Sequence, residues 1–316
     1  MTAGQARSVR IGAARTSVRG QAVATRANIT SLLRDFRKQK DILALCKAIA
    51  MIVRQRRTLE TLYGVYCNLA YRPSRLCACS DPVQLASILG HRAEFTRPSR
   101  LTRDRLIELY GREFAVASLP ADFRCARMEA VCRDGDRLII GEYGEGARIA
   151  SVTDRSCLLN GYYRNVTGVR HIHSILRYDG DGEFLVATGD GAKRLDLWST
   201  TDGEVRFSRR LRKYLAGFTA AVKVNGDYYF GSDFSGRPNF IATMDGAKYF
   251  FPPPAYRRFV TAFFVFSDRY LVSVNRDLDS VGGVRTLSVF DTVEKQFVFC
   301  DYLDDRSSRR SSPNPP

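Results

Sequence analysis

The chain has 316 residues, and its 49 Lys and Arg against 33 Asp and Glu give a formal net charge of +16 at pH 7. With 45% hydrophobic and 26% charged residues, its composition is close to the average for globular proteins, which excludes a wholly disordered chain. The best apolar stretch, residues 42–53, contains Lys47 and is shorter than the ~20 residues that a membrane-spanning helix needs, so we expect no membrane span.

The N-terminal segment carries most of the excess positive charge. Residues 1–60 hold 13 Lys and Arg against only Asp35, Asp41 and Glu60, a net of +10. We predict that residues 1–40 form a flexible or partly helical basic segment, because such a sequence buries too little apolar surface to offset its ordering entropy. A solvated tail is the favoured interpretation, and an organellar transit peptide or a phosphate-binding arm are the alternatives. Residues 1–27 contain no aromatic side chain that could stack on a base, which argues against a nucleic-acid partner.

The eight cysteines are predicted to be structural. No apolar core of a secretory signal precedes them, so we expect a cytoplasmic, reducing location and free thiols. Cys77-Ala-Cys79 lacks the spacing and the further ligands of a zinc site.

Four segments of the chain align with one another without gaps. They are Asp136–Glu142, Gly182–Thr188, Gly226–Ser232 and Asp268–Val274, and their anchor positions Leu138, Phe184, Tyr228 and Tyr270 are separated by 46, 44 and 42 residues. A strand precedes each segment, and two further strands follow it. Four short antiparallel strands every 40–50 residues are typical of a propeller blade, so we predict an all-β fold, a β-propeller of four-stranded blades.

The repeat also predicts where the other strands lie. The first strands are expected over 126–132, 173–178, 219–224 and 261–266, the third over 147–152, 195–199, 239–244 and 285–291, and the fourth over 157–162, 204–208, 248–251 and 296–300.

Upstream residues are expected to add one or two degenerate blades. Their strands are predicted at 43–53, 63–69, 75–80 and 84–89, with part of another blade at 106–110 and 113–118. This predicts five or six blades over 41–303, followed by a disordered tail over 304–316, although residues 30–60 also fit helical spacing.

The repeats carry a set of short motifs. These are Gly141-Glu-Tyr143, Arg170-His-Ile-His173, Thr188-Gly-Asp190 and Gly231-Ser-Asp233, preceded by Ser99-Arg-Leu-Thr-Arg103. In them the chain resembles sialidase-like (BNR-type) β-propellers, and more closely an uncharacterised bacterial branch of that superfamily. The resemblance implies a role linked to surface polysaccharide or glycosylation pathways.

Two hallmarks of sialidases are missing. The Asp-box pattern survives only as a remnant around Ser199–Gly203, beside the sole tryptophan, Trp198. The arginine, Tyr/Glu and Asp constellation of sialidases also has no counterpart in this sequence, so sialidase activity is not implied.

Two of the three histidines lie at the start of one inner strand. His171 and His173 are two residues apart and should project to the same side of that strand. Glu142, Asp190 and Asp233 occur near the ends of successive second strands, so the propeller could bring imidazoles and carboxylates to one channel mouth. Such a group can bind a divalent metal or act as acid and base on a sugar, with His171, His173 and Glu142 as the candidate catalytic and metal-binding residues.

Arg170, Asp190 and Asp233 are the candidate ligand-binding residues. Arg170 could pair with the carboxylate of an acidic sugar. The alternative is structural: these side chains would join neighbouring blades or cap loop amides.

Three functions fit these observations. The favoured one is a monomeric, non-catalytic propeller that binds a glycan or a protein at its channel face. The alternative is a carbohydrate-active hydrolase or lyase that uses His171, His173 and nearby carboxylates, with or without a divalent metal. The third is a nucleic-acid-associated scaffold that binds through its basic arm, and the fold itself does not choose among them.

Overall fold

The computed structural model describes residues 70–96, 100–124, 126–189, 193–201, 204–212, 217–234, 237–277 and 284–303. The chain divides into two compact units, residues 1–72 and 73–316, and all described strands lie in the second. The predicted basic segment, the predicted tail and the predicted strands over 43–53 and 63–69 fall outside the described residues. No helix among those described is long and apolar enough to cross a membrane.

The second unit begins with a mainly helical segment. Its elements are helix α1 (Pro82–Gly90), a 3₁₀ helix (Arg92–Thr96), the short strand β1 (Arg100–Leu101), helix α2 (Arg103–Tyr110) and a second 3₁₀ helix (Val116–Ser118).

Four antiparallel sheets follow, one for each repeat, and each takes its strands in sequence order. Blade 1 contains β2 (Ala126–Asp134), β3 (Arg137–Glu142), β4 (Ile149–Val152) and β5 (Cys157–Asn160), with β1 paired to β2 as a fifth strand. A 3₁₀ helix (Tyr162–Asn165) leads to blade 2, which contains β6 (His171–Arg177), β7 (Glu183–Gly189), β8 (Leu195–Thr201) and β9 (Glu204–Arg212). Blade 3 contains β10 (Phe218–Val224), β11 (Asp227–Ser232), β12 (Phe240–Thr243) and β13 (Lys248–Phe250). Blade 4 contains β14 (Phe259–Phe266), β15 (Tyr270–Arg276), β16 (Arg285–Asp291) and β17 (Gln296–Tyr302).

The sheets form a four-blade β-propeller, so the fold class predicted from the repeat is confirmed. Each of the four anchors lies in the second strand of its blade, and every predicted strand from residue 126 onward overlaps an observed one. The alternation of buried side chains explains this success: Leu138 and Ile140 face one side of β3, and Ile139 faces the other.

The prediction of further blades is wrong over the described residues. Residues 84–89 belong to α1 because the Asp81 side chain accepts a hydrogen bond from the Gln84 amide (2.9 Å) and Pro82 starts the helix. Leu85, Ile88 and Leu89 follow helical spacing, and all three pack on blade 4.

Residues 106–110 likewise form a helix rather than a strand. The Thr102 side chain caps α2 by accepting a hydrogen bond from the Arg105 amide (3.2 Å). The apolar face of α2, with Leu106, packs on blade 1. The predicted strand over 113–118 contains instead the 3₁₀ helix Val116–Ser118, and residues 75–79 form no strand.

The apolar clusters show how the blades are held together. Blades 1 and 2 share one cluster around Trp198, blades 2 and 3 a second around Phe230, and blades 3 and 4 a third around Phe290. The remaining faces of blades 4 and 1 pack against the helical segment. The helices therefore cover the apolar surfaces where we expected additional blades.

The inner strands share one irregularity that shapes the candidate site. The register of β6 shifts at His173, that of β10 at Thr219 and that of β14 at Thr261, while β2 shifts between Ala126 and Val131. A bulge redirects the side chain at its position. These three residues consequently occupy equivalent places near the end of the propeller where the inner strands begin.

Candidate functional site

The two histidines lie together, as the sequence predicted. Their ring centroids are 4.9 Å apart and the rings are inclined by 28°. The His173 ring is buried, whereas the His171 ring is half-buried at the start of β6. His171 is therefore the more accessible imidazole. The bulge at His173 leaves the two rings in contact.

A tyrosine from the neighbouring blade completes an aromatic stack. The Tyr143 ring centroid lies 4.1 Å from that of His171 and 5.9 Å from that of His173. On the same tyrosine, the guanidinium carbon of Arg100 lies 5.0 Å from the ring centroid, within cation–π range. Arg100 is exposed and Tyr143 is half-buried, so the stack has an accessible, positively charged edge.

Neither Tyr143 nor Arg100 is among the site residues predicted from the sequence. Both lie in motifs of the repeats, the Gly141–Tyr143 triplet and the Ser99–Arg103 segment. Those motifs were the signal by which they could have been found.

Gly189 leaves the space that the His173 ring occupies. A Cβ atom built on this glycine would lie 1.7 Å from Cε1 of His173. The absence of a side chain at Gly189 therefore allows the imidazole to pack against the end of β7.

Asp233 and Lys193 complete the polar side of the histidine pair. The Nδ1 atom of His173 lies 3.6 Å from Oδ2 of Asp233, and Nζ of Lys193 lies 3.5 Å from the same oxygen. Lys193 also donates a hydrogen bond to the Asp233 carbonyl. Asp233 is buried, so its negative charge is balanced by groups from blade 2. We call Tyr143, His171, His173, Lys193 and Asp233 the histidine face.

The two remaining seams between blades are joined at the same end of the propeller. The Thr219 hydroxyl donates a hydrogen bond to the Val260 carbonyl, which joins blades 3 and 4. Arg127 donates to the Thr261 carbonyl (2.6 Å) and joins blades 1 and 4, while its Nε lies 3.2 Å from Oε2 of Glu129.

Glu129 is the acidic partner in that seam, and its side chain is 12% exposed. Burial raises the pKa of Glu129 above its usual value, and the charge and hydrogen bond of Arg127 offset only part of this effect. The ionised form of Glu129 is therefore stabilised chiefly by the neighbouring Arg127.

Glu142 lies next to Tyr143, but its side chain binds Arg124 and Arg148, which lie outside the strands. Its carboxylate accepts hydrogen bonds from the Arg148 guanidinium (2.8 and 2.9 Å), from the Arg148 amide (3.1 Å) and from the Arg124 amide (3.0 Å). Burial favours the neutral acid, but these donors outweigh burial and lower the pKa of Glu142. The arrangement accords with the structural role that the sequence left open.

The repeat supports the same conclusion for Glu142. Thr188 and Ser232 stand at the equivalent position of blades 2 and 3, four residues after the anchor. Each accepts a hydrogen bond from a backbone amide near the start of the third strand, that of Arg194 (3.1 Å) or Phe240 (2.8 Å). Asp233 stands one residue later than this position, and the two carboxylates are therefore not equivalent.

The other predicted ligand-binding residues lie differently. Arg170 is exposed directly before β6, beside the histidine pair in sequence. Asp190 lies outside the described residues. In the described part of the chain, no three His, Cys, Asp or Glu side chains are grouped in a way that could hold a metal ion. The assignment of His171, His173 and Glu142 as metal ligands stays a prediction.

The arrangement has two chemical capacities. The Tyr143–His171 stack offers aromatic faces beside the cationic edge formed by Arg100, which suits a ring-shaped polar ligand. Each of the carboxylates Glu129, Glu142 and Asp233 is engaged by at least one basic side chain.

Comparison with known proteins gives weak similarities. No family model matches the chain, and no curated protein matches it. An endo-arabinase from Bacteroides thetaiotaomicron VPI-5482 is similar at 10% sequence identity over 55% of this chain and 80% of that chain, with a TM-score of 0.36. An S. cerevisiae structure of Dbp5 bound to Nup159 and Gle1 matches at 9% identity over 59% of this chain and 51% of that chain (TM-score 0.32). The N-terminal domain of Nup159 matches at 9% identity over 54% of this chain and 46% of that chain (TM-score 0.31).

The alignments with the last two structures span about half the length of the matched chains. The propeller architecture is given by the four sheets of this chain. No family match accompanies the resemblance to sialidase-like propellers, and the part of that resemblance that stands is the β-propeller fold.

Proposed function

We propose that this chain is a non-catalytic β-propeller that binds a glycan on the histidine face. The observation that carries the proposal is the ring contact of Tyr143 with His171 beside Arg100, since it joins an aromatic surface to a cation. A sugar ring can lay its C–H face on an aromatic ring, while its hydroxyl groups bond to charged side chains. Arg170, exposed beside the pair, and Asp233 are further candidate contacts.

The state of the carboxylates favours binding over hydrolysis. A glycosidase needs two carboxyl groups that face the scissile bond. Glu142 is held by Arg148 and Arg124, and Asp233 by His173 and Lys193, so neither points to an acid–base role.

The histidine pair keeps the hydrolase or lyase as the second candidate. Two stacked imidazoles next to a ligand surface could exchange protons with a substrate. Multiple turnover by the wild-type protein that is lost in His171→Ala would favour this enzyme over the binding protein.

Ligand-observed NMR with defined neutral and acidic oligosaccharides tests the proposal. We expect saturation transfer from the wild-type protein to at least one oligosaccharide, and binding at least ~10-fold weaker in His171→Ala, equivalent to about 1.4 kcal/mol. His91→Ala is the matched control because His91 is exposed and pairs with Glu94 on the helical segment. Equal binding by both variants would place the ligand elsewhere and overturn the proposal. If no oligosaccharide binds, the glycan proposal is wrong, and a protein becomes the favoured ligand.

A further inference from the structure

The outermost strands of the blades differ in how their edges are covered. The segment before α1 crosses two of them: the Ser74 amide donates to the Phe250 carbonyl of β13 (3.2 Å), and the Cys77 amide donates to the Phe297 carbonyl of β17 (2.9 Å). On β9 the Asn160 side chain bonds to the Val205 carbonyl (2.7 Å). Among the described residues, no backbone hydrogen bond from another sheet or loop reaches β9. Over the part of the chain that the structure describes, the β9 edge therefore offers unpaired main-chain groups after Val205.

This open edge is strongly basic. Residues 204–213 contain four arginines and one lysine against a single acidic residue, Glu204. The side chains of Arg206, Arg209 and Arg210 are exposed. Arg206 pairs with Glu204 (2.9 Å), and Arg210 lies 3.8 Å from Asp196, whereas Arg209 has no acidic partner among the described residues.

The charge restricts what can pair with the edge. Two copies of β9 would oppose like charges, which disfavours edge-to-edge association of this chain with itself. The one aromatic residue of the strand, Phe207, stacks on Tyr162 with ring centroids 4.5 Å apart and an angle of 8°. That ring is thus occupied and unsuited to stacking a nucleic-acid base.

We propose that the β9 edge binds an acidic, extended polypeptide segment, which adds to blade 2 as a fifth strand. Main-chain hydrogen bonds along the edge would supply affinity, and carboxylates on alternate residues of the partner would meet Arg206 and Arg209. A strand as long as β9, with nine residues, spans roughly 30 Å at about 3.3 Å per residue, so a segment of similar length would fill the edge.

The probe is a nine-residue amidated peptide that alternates Glu with Thr and Val, added to the full-length chain. Hydrogen exchange followed by mass spectrometry localises the contact, which separates β9 from the basic N-terminal residues. We expect slower exchange within residues 204–212 and no binding there by the same peptide N-methylated at alternate residues. Protection elsewhere only, or equal binding by the N-methylated peptide, would overturn the proposal.

Charge reversal gives the second arm of the experiment. Arg206→Glu with Arg209→Glu should weaken binding at least ~10-fold because the edge then repels the acidic peptide. The matched control is Arg112→Glu with Arg155→Glu, which changes the net charge equally at two exposed arginines in connecting segments outside β9 and should weaken binding less than about twofold.

A milder variant, which removes the positive charges without reversing them, tests the site in case charge reversal prevents folding. Arg206→Gln with Arg209→Gln should give an intermediate loss of affinity. An equal loss of peptide affinity in the test and control variants would mean that net charge alone causes the effect, and it would refute a β9 site. Stronger protection of β9 by an RNA homopolymer than by the peptide would also refute it, in favour of a phosphate ligand.

Discussion

The imidazole of His173 in blade 2 contacts the carboxylate of Asp233 in blade 3, with Nδ1 3.6 Å from Oδ2. The same ring packs against Gly189 and lies near Tyr143 of blade 1. His173 therefore joins three blades, and its replacement would alter the fold as well as any ligand. His171 is half-buried at the edge of the stack and is the better residue for a functional test.

Gly189→Ala should destabilise the protein by displacing the His173 ring. The new Cβ would lie 1.7 Å from Cε1 of His173, so the ring must move, and we expect a loss of about 1–3 kcal/mol in the free energy of unfolding. Urea denaturation measures this loss. Gly161→Ala is the control, because its Cβ would meet Arg164 at an ordinary 3.5 Å. Equal stability of the two variants would contradict the close packing of His173 on Gly189.

Glu142→Gln should lower stability at neutral pH by about 2 kcal/mol, because a charge-assisted network is replaced by weaker bonds. The pKa of Glu142 is lowered in the folded protein, so its ionised form stabilises the fold. This contribution is present above the unfolded pKa near 4.5 and is lost as the pH falls through the lower folded pKa. The free energy of unfolding of the variant should therefore depend less on pH below about 4.5. An unchanged acid dependence would argue against the Glu142–Arg148 network.

Arg127→Met should be more damaging than the double change Arg127→Met with Glu129→Gln. The single variant leaves the buried Glu129 carboxylate without its arginine, at a cost of about 3–5 kcal/mol, whereas the double variant removes the uncompensated charge. Because burial already raises the pKa of Glu129, the cost of the single change should shrink at low pH, where the group is neutral. Equal unfolding free energies for the two variants at pH 7 would be inconsistent with this ion pair.

Thiol labelling should separate Cys77 from Cys132. Cys77 is exposed, whereas burial raises the pKa of Cys132 to about 11. At pH 8 a thiol with that pKa is ionised on the order of a hundredfold less than one with the usual value of about 8.5, so Cys132 should react correspondingly slowly. Timed alkylation followed by peptide mass mapping measures each rate. Comparable rates in the native protein, but not after denaturation, would contradict the raised pKa of Cys132.

The repeat made the propeller predictable because strand alternation is a local property of the sequence. Anchors such as Leu138 and Phe184 combine with Gly/Asp turns to mark each hairpin without knowledge of distant contacts. The helix over 84–89 was not predicted, because a short apolar run fits a strand as well as a helix. Asp81 and Pro82 are the signals of a helix start in this segment.

The histidine face was predictable only in part. The pairing of His171 with His173 follows from their spacing, but the contacts with Tyr143, Lys193 and Asp233 join residues from different blades or loops. Those contacts depend on how blades pack, which one sequence does not give. Glu142 and Asp233 look similar in the sequence because Glu142 ends β3 and Asp233 directly follows β11. Asp233 stands one residue later relative to the repeat, and a shift of one residue places a side chain on the other side of a strand.

The most direct test of a ligand-binding histidine face uses the three histidines as reporters. The imidazole C–H signals of His91 and His171 can be assigned by single substitutions, which leaves the third signal to His173, and all three can be followed as an oligosaccharide is added. We predict that the His171 and His173 signals shift until the protein is saturated, that the His91 signal stays in place, and that the oligosaccharide is recovered intact. Shifts confined to His91, or saturation without a change at His171, would contradict a ligand site at this end of the propeller.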